Sequence, residues 1–437
     1  MIATSEDPVV IAGMAVEAPG GIDTPDALWS ALTESRELLS PFPRDRGWAI
    51  DDLLTLSRLE GWGEVCDSGG FLDGAADFDP GLFGITQREA LVLQPQQRVV
   101  MRVAWKALEN TGINPQSLAG EFVGCYIGMS PMEYGPRVAL ADAHSGHRIA
   151  SLGQLGGAAR ISHSLGLTGP SISLDTACAS GLTAVQLAAN AVATEECEWA
   201  LAGGVCVMGS PAAFYEFARL NALSDDGRCR AYSDDASGTV WGEGAGIVIV
   251  ERRSRANALG HRVYGEIRAI RTNHNGKGKP ILVPRVRAQE QVIGKTLEAA
   301  GVDAADIGMI EGHGTGTRAG DPAELLALFK TYGAAGSQAR IGSIKSNIGH
   351  PQAASGILGL IKLLVAAEHG CIPPTLFADK PTTLLDWELT ALRLATKVHD
   401  WPAKDGFRYG AASSFGAGGA NAHAIIAIPA HKDGNDG

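Results

Sequence analysis

Leu174–Leu182 reads LDTACASGL, and the fold turns on what flanks it. Upstream, Ser171–Asp175 looks like a buried strand leading into a helix. Downstream, Ala179 to about Thr194 is rich in alanine and leucine and predicts a helix. Cys178 then lies on a strand-to-helix turn, facing a helix N-terminus whose free N–H groups and positive dipole end favour a thiolate. Such a setting can bring a cysteine pKa from about 8.5 towards 7 or below. Ala177, Ala179, Ser180 and Gly181 are small enough to let a substrate reach the sulfur. Cys66, Cys125, Cys197, Cys206, Cys229 and Cys371 have no such setting and read as small buried hydrophobes. They form no CxxC pair, which argues against a disulfide framework and a zinc site and fits reduced cytosolic thiols.

The same alternation runs outward in both directions. Val9–Ile11, Ala200–Met208, Gly246–Glu251, Ile307–Glu311, Arg340–Ile344 and Ala424–Ile428 read as strands. Gln94–Gly112, Ala288–Gly301, Pro322–Tyr332 and Gly356–His369 read as helices. Strands alternating with helices predict a layered α/β fold. No proline- or serine-rich linker interrupts the 437 residues, so the halves are expected to share one core; Pro41–Gly84, rich in Gly, Asp and Trp, reads as an excursion from it.

A cysteine nucleophile needs a proton manager and an oxyanion stabiliser. His313 lies in EGHGTGT, just after the strand Ile307–Glu311, and His350 lies in GSIKSNIGHPQAASG, between a strand and a helix. Sites in α/β proteins gather at the carboxyl ends of strands. The other histidines carry no motif, and no pair has the HxxxH spacing of a helical metal site. The glycine strings do not read as nucleotide loops. In Gly242–Gly246 (GEGAG) and Ser414–Ala420 (SFGAGGA) a strand follows the glycines, whereas a dinucleotide fingerprint needs the strand first, and no GxxxxGK[ST] occurs.

With Lys+Arg 36 against Asp+Glu 48, the formal charge is -12, and no basic run appears. Nucleic acid and anionic membrane are therefore poor partners. The start, MIATSEDPVVIAGM, lacks a basic n-region and a long apolar h-region, and no stretch reaches about 18 uninterrupted apolar residues. A cytoplasmic protein is expected.

DTACASG, EGHGTGT, KSNIGH and SFGAGGANAH occur here in the order and spacing of β-ketoacyl synthases, and the chain most closely resembles the ketosynthases of modular polyketide assembly lines. The resemblance runs from Pro8 to about Ile428 and includes FPRDRGW at 42–48, LQPQQR at 93–98 and GTGTRAGDP at 314–322. It implies the thiolase-like five-layered αβαβα fold with two pseudo-symmetric βαβαβαββ-type halves, residues 1–255 holding Cys178 and 256–437 holding both histidines. It also implies a homodimer that works on acyl groups carried by the phosphopantetheine of an acyl carrier protein, with no cofactor or metal of its own. By the same resemblance Cys178 takes the acyl group, and a malonyl-type thioester loses carbon dioxide. His313 and His350 steady the enolate, which attacks the Cys178 thioester. Lys345 supports His350, Thr315 and Thr317 bind the pantetheine arm, and the backbone N–H groups of Cys178 and Phe415 form the oxyanion hole. Phe415 also gates the two half-reactions.

Some positions depart from the family pattern. A run of serines after the nucleophile is replaced by Ala179-Ser180-Gly181, ADG by Ala236-Ser237-Gly238, and NQDG by Asn273-His274-Asn275-Gly276, which continues into KGKPILVP. Met129–Gly135 is also atypical. These changes bear on substrate choice. The initial methionine and the short tail favour a free-standing enzyme over an excised domain. A second reading is therefore a free-standing ketosynthase that cyclises and releases a finished chain without decarboxylation. A third, a non-catalytic partner resembling a chain-length factor, is disfavoured by the presence of Cys178.

Overall fold

Pro95 opens the first long helix, Pro95–Thr111, where a missing N–H costs nothing. Gly112 closes it at φ 86°, a left-handed conformation that favours glycine. The face carrying Val99, Val100, Val103, Ala104, Ala107 and Leu108 is buried, as the 3.6-residue spacing of these side chains requires. Similar patterns place the other helices, and apolar runs place most strands. The structure, a computed structural model, describes residues 7–134 and 154–430.

The strands are β1 (Val9–Glu17), β2 (Gly124–Gly128), β3 (Ser171–Leu174), β4 (Trp199–Cys206), β5 (Gly244–Arg252), β6 (Gly265–His274) and β7 (Ile307–Glu311). They continue with β8 (Arg340–Gly342), β9 (Cys371–Ile372), β10 (Arg393–Leu394), β11 (His399–Asp400), β12 (Phe407–Phe415) and β13 (Ala420–Pro429). Among the described residues, eleven of them form a sheet ordered β10-β8-β7-β12-β13-β6-β1-β5-β4-β2-β3, while β9 and β11 pair separately.

That order contains a duplication. The first five strands lie as β3-β2-β4-β5-β1, and β8-β7-β12-β13-β6 repeats the arrangement strand for strand. The senses repeat as well. In each half the three strands farthest from the junction are parallel to one another, and the two nearest it join by antiparallel pairing. The halves meet where β1 pairs with β6, Val10 opposite Glu266 and Ile11 opposite Gly265.

Helices Ser180–Ala193 and Ser355–Glu368 touch strands of both half-sheets and form the central layer. Helix Pro95–Thr111 covers β1 and β5 from outside, and Val286–Ala300 covers β6 and β13. The result is the expected five-layered thiolase-like αβαβα fold. Its innermost helix reads SGILGLIKLLVAAE and is buried from Ser355 through Ala367. A single leucine removed from such an interior costs about 2–5 kcal/mol. The Pro41–Gly84 excursion folds back through Phe42, Trp48 and Phe71, which pack around Phe214.

Besides the two-residue β9, β10 and β11, three strands of the duplicated core escape the sequence reading. β2 (GCYIG) is short and flanked by glycine, β6 (GEIRAIRTNH) alternates apolar with charged residues, and β12 (FRYGAASSF) is built of small residues. None offers a continuous apolar run. Among the described residues, no helix is long and apolar enough to cross a membrane.

Candidate active site

β3 ends at Leu174, and helix Ser180–Ala193 begins six residues later. The turn between them is tied by its own side chains. Asp175 Oδ1 accepts from the Ala177 N–H at 2.7 Å, and Ser180 Oγ accepts from the Thr176 N–H at 2.8 Å. The same Ser180 hydroxyl donates to the Ala177 carbonyl at 2.6 Å. Ala177 adopts φ 52°, a strained value for a residue with a Cβ, and such strain clusters at functional sites. The Ser414 hydroxyl donates to the Cys178 carbonyl at 2.6 Å. Gly416 lies so close that a Cβ there would meet the Thr176 carbonyl at 2.4 Å. The β12–β13 turn is thus pressed onto the cysteine turn.

The two histidines reach this point from the other half, His313 after β7 and His350 after β8. Cys178 Sγ and a ring nitrogen of each lie within 4.8 Å of one another, all on buried residues. The rings stand nearly perpendicular, with centroids 5.2 Å apart. His350 Nδ1 accepts from the Gln352 N–H at 3.0 Å, so its proton sits on Nε2 in the neutral ring. His313 is held through its backbone, whose N–H donates to Glu324 Oε1 at 2.6 Å. Glu324 Oε2 accepts from the Gly314 N–H and the Tyr232 hydroxyl, both at 2.8 Å. Asp321 accepts from the backbone N–H groups of Tyr232 and Gly316. The loop carrying His313, Thr315 and Thr317 therefore rests on two buried acids from helix Gly320–Leu328.

Electrostatics corrects one expectation. Burial pushes the Cys178 thiol up to about 11, against the downward pull of Lys345 and of the Ala417 and Cys178 N–H groups. The turn does not yield a free thiolate, because desolvation outweighs the helix terminus. Burial and the Lys345 charge hold both imidazoles well below the ordinary histidine range, so both are neutral. Lys345 is itself buried, which lowers its pKa, while Glu311 and Glu324 support its charge. Glu311 also pairs with the buried Lys362 at 2.7 Å and accepts from the Ile344 N–H at 2.6 Å. Burial raises Asp321 to about 7. The Cys178–His313–His350 atoms are of the types that ligate zinc, but the Lys345 ammonium beside them works against a second cation.

The remaining predicted residues lie around one cavity. The Thr315 and Thr317 hydroxyls lie 2.9 Å apart and line a cavity of about 300 Å³ together with Cys178, His313, His350 and Phe415. The Phe415 ring is edge-on to His313 at 5.7 Å. The turn that follows β12 also brings Gly416 and Ala417 to that cavity. Glu324, Asp321 and Tyr232 went unassigned in the sequence. The signal that would have found the acids is their i, i+3 spacing at the start of a helix behind a glycine loop. The atypical KGKPILVP segment brings Ile281, Leu282 and Pro284 to the cavity. Of Met129–Gly135, Met129 is buried and Gly135 lies outside the described residues.

Duplicated half-sheets that bring a buried cysteine and two neutral histidines together at their strand ends define a member of the thiolase-like class. More particularly, the chain belongs to the β-ketoacyl synthase family. It matches "Beta-ketoacyl synthase, N-terminal domain" over residues 6–256 and "Beta-ketoacyl synthase, C-terminal domain" over residues 264–379. It is 41% identical over 97% of its length to the polyketide synthase GfsA of Streptomyces halstedii. It is 43% identical over 97% to the spectinabilin polyketide synthase system protein NorA' of Streptomyces orinoci. The chain spans 6% and 12% of those proteins, so the matching part is a small portion of each. Among solved structures it is similar to the ketosynthase from module 6 of the bacillaene synthase of Bacillus subtilis 168, with TM-score 0.88 and 33% identity over 97% of this chain and 72% of that one. It is similar also to an oxazolomycin ketosynthase domain from Streptomyces albus JA3453, with TM-score 0.89 and 36% identity over 98% and 75%.

Proposed function

We propose that the chain is a polyketide-type ketosynthase that forms a carbon–carbon bond through an acyl-Cys178 intermediate. The observation that carries this reading is the meeting of Cys178 Sγ with the His313 and His350 rings, two neutral donors, within 4.8 Å. In the first half-reaction the Cys178 sulfur attacks the thioester of an acyl group on a carrier protein's phosphopantetheine. The thiol proton leaves with the departing pantetheine sulfur. The thioester oxygen is steadied by the N–H groups of Cys178 and Phe415; one such donor is worth about 3 kcal/mol. In the second, a malonyl-type thioester loses carbon dioxide, and its enolate oxygen takes hydrogen bonds from His313 and His350. The enolate carbon attacks the acyl-Cys178 carbonyl and releases the sulfur as a thiolate, which takes up a proton from solvent. A neutral imidazole suits this step, since it donates to an enolate without first giving up a full proton. Burial and the Lys345 charge keep both rings neutral, and Thr315 and Thr317 hold the pantetheine arm.

The repeated strand order supports two halves, 1–255 and 256–437, with the nucleophile in the first and both histidines in the second. We further propose an acyl carrier protein as the macromolecular partner and a homodimer as the assembly. Incubation with acyl-carrier and malonyl-carrier substrates tests the central claim. Intact mass should show an acyl adduct that vanishes in Cys178→Ala, and carbon dioxide release should depend on the malonyl carrier. Full acylation of Cys178→Ala would remove the nucleophile assignment. Loading without malonyl-dependent carbon dioxide would remove the condensation.

A further inference from the structure

Lys362 is the one lysine of the innermost helix, Ser355–Glu368, and its side chain is completely buried. The half-reactions make no use of it. Its Nζ lies 2.7 Å from Glu311 Oε2 and has no other partner among the described residues. Two glycines make room for this pair. A Cβ on Gly359, one turn earlier on the same helix, would meet Glu311 Cγ at 2.9 Å, and a Cβ on Gly342 would stand 3.4 Å from Nζ. Apolar side chains of matching volume often fill such a slot with no loss of stability. Packing therefore does not account for the two charges. What they can do, and apolar groups cannot, is fix the direction of a carboxylate.

That carboxylate sits where the two histidine loops leave the sheet. Glu311 ends β7, two residues before His313. With Oε2 held by Lys362, Oε1 accepts from the Ile344 N–H at 2.6 Å. Ile344 precedes the short helix Lys345–Ile348, and His350 follows two residues beyond the helix end. The same carboxylate supports the Lys345 charge. Two further contacts join the loops: the Gly312 N–H donates to the Gly342 carbonyl at 2.8 Å, and the Ser343 hydroxyl to the Gly314 carbonyl at 3.1 Å. Of the three, the Glu311 contact lies nearest to His350 along the chain. The His350 backbone is bonded on its other side to Val240 and Gly242 of the first half. Glu311 therefore couples the strand that carries His313 to a loop anchored elsewhere.

We propose that Lys362 is a positioning residue for condensation: its ion pair aims the Glu311 carboxylate at the Ile344 N–H and at Lys345, and so sets the spacing of the His313 and His350 rings. This rests on the ketosynthase reading above. Both rings have to meet one enolate oxygen, whereas acyl transfer to Cys178 does not draw on that contact. Two donors slightly misplaced should cost about tenfold in condensation, since misplacement alone is expensive. The contact is realised only in the transition state, so the loss should fall on kcat and leave KM for the malonyl thioester unchanged.

The test compares wild type with Lys362→Met and with the double variant E311Q/K362M. Loading of Cys178 from an acyl-pantetheine thioester is followed by intact mass, and condensation by malonyl-dependent carbon dioxide release from enzyme already acylated. K362M should lose about tenfold in the kcat of condensation and load within about twofold of wild type. It should also melt at a lower temperature, because Glu311 is left without its partner. The double variant keeps an acceptor oxygen towards Ile344 and buries no unpaired charge, so its melting temperature should recover. Its condensation should stay slow, since the glutamine is neither held by Lys362 nor able to support the Lys345 charge. A pair that serves packing alone would regain activity together with stability. Condensation by K362M at the wild-type rate, equal loss of loading and condensation, a change confined to KM, or recovery of condensation in the double variant would each overturn the proposal. If K362M does not fold, the double variant is judged by the same split between loading and condensation. Absence of any Cys178 adduct, or of malonyl-dependent carbon dioxide, in wild type would instead overturn the ketosynthase reading.

Discussion

At the scale of single residues, Cys178 shows how two sound arguments can point in opposite directions. Its place before a helix favours thiolate, while its burial favours thiol, and with the thiol at about 11 burial prevails. The thiolate is then a small minority near neutral pH, and its population rests on the few groups that pull the other way. Lys345 is the largest of these. Removing its charge should raise the thiol pKa further. We expect Lys345→Met to alkylate with iodoacetamide several-fold more slowly than wild type at pH 8, since the thiolate is the reacting species. In wild type the rate should climb about tenfold per pH unit and level off only near pH 11. Equal alkylation rates in the two proteins would show that Lys345 does not act on the sulfur. A plateau near pH 7 would show that the helix terminus prevails after all.

At the scale of elements, the site is made of turns that follow strands, each fastened by side chains from a neighbouring helix or strand. That division also explains what the sequence discloses. Cys178, His313 and His350 are legible because each sits in a short glycine-bearing motif directly after an apolar run. The fastenings are less legible because they act across the fold. Tyr232 lies 92 positions from Glu324 and His274 lies 144 from Gly418, and no local pattern signals either pairing. Likewise β12 shows no apolar run, since its neighbours supply the burial that its small residues lack. Motif order likewise locates the SFGAGGA turn, but only the fold shows that Gly416 is pressed against the Thr176 carbonyl. Glu324 offers the sharpest test at this scale. Its two oxygens accept from the His313 and Gly314 N–H groups as well as Tyr232. A glutamine there keeps one acceptor oxygen and turns a donor towards a backbone N–H. A buried donor left without a partner costs about 1–3 kcal/mol. Glu324→Gln should therefore lower stability by about that amount in urea unfolding. It should also slow condensation more than acyl loading, because the loop it slackens carries His313. A variant as stable as wild type, or one that loses both half-reactions equally, would contradict this account.

At the scale of the whole molecule, duplication brings the site together. The two half-sheets repeat one strand order and join through a short β1–β6 contact, which sets the carboxyl ends of β3, β7 and β8 facing a common centre. Neither half alone supplies both sulfur and imidazoles. The same topology leaves β3 at one end of the sheet, paired only with β2 among the described residues. Ser171 and Ile172 are exposed there, with Ile172 at 41%. An uncovered sheet edge bearing an aliphatic side chain offers unpaired N–H and C=O groups to another strand, and two copies related by a twofold axis can meet at that edge with antiparallel β3 strands. Because Cys178 lies only four residues beyond the end of β3, such an interface would also stiffen the nucleophile turn. Ile172→Lys sets two like charges against each other across the axis while sparing the protomer core. Light scattering should find wild type at twice the mass of the chain and I172K at the mass of one chain, with little change in melting temperature at the protomer level. A wild-type monomer, or an I172K dimer of undiminished affinity, would place the assembly surface elsewhere. Slower acyl loading in monomeric I172K would tie the assembly to the cysteine turn, because no other part of the site adjoins that edge as directly.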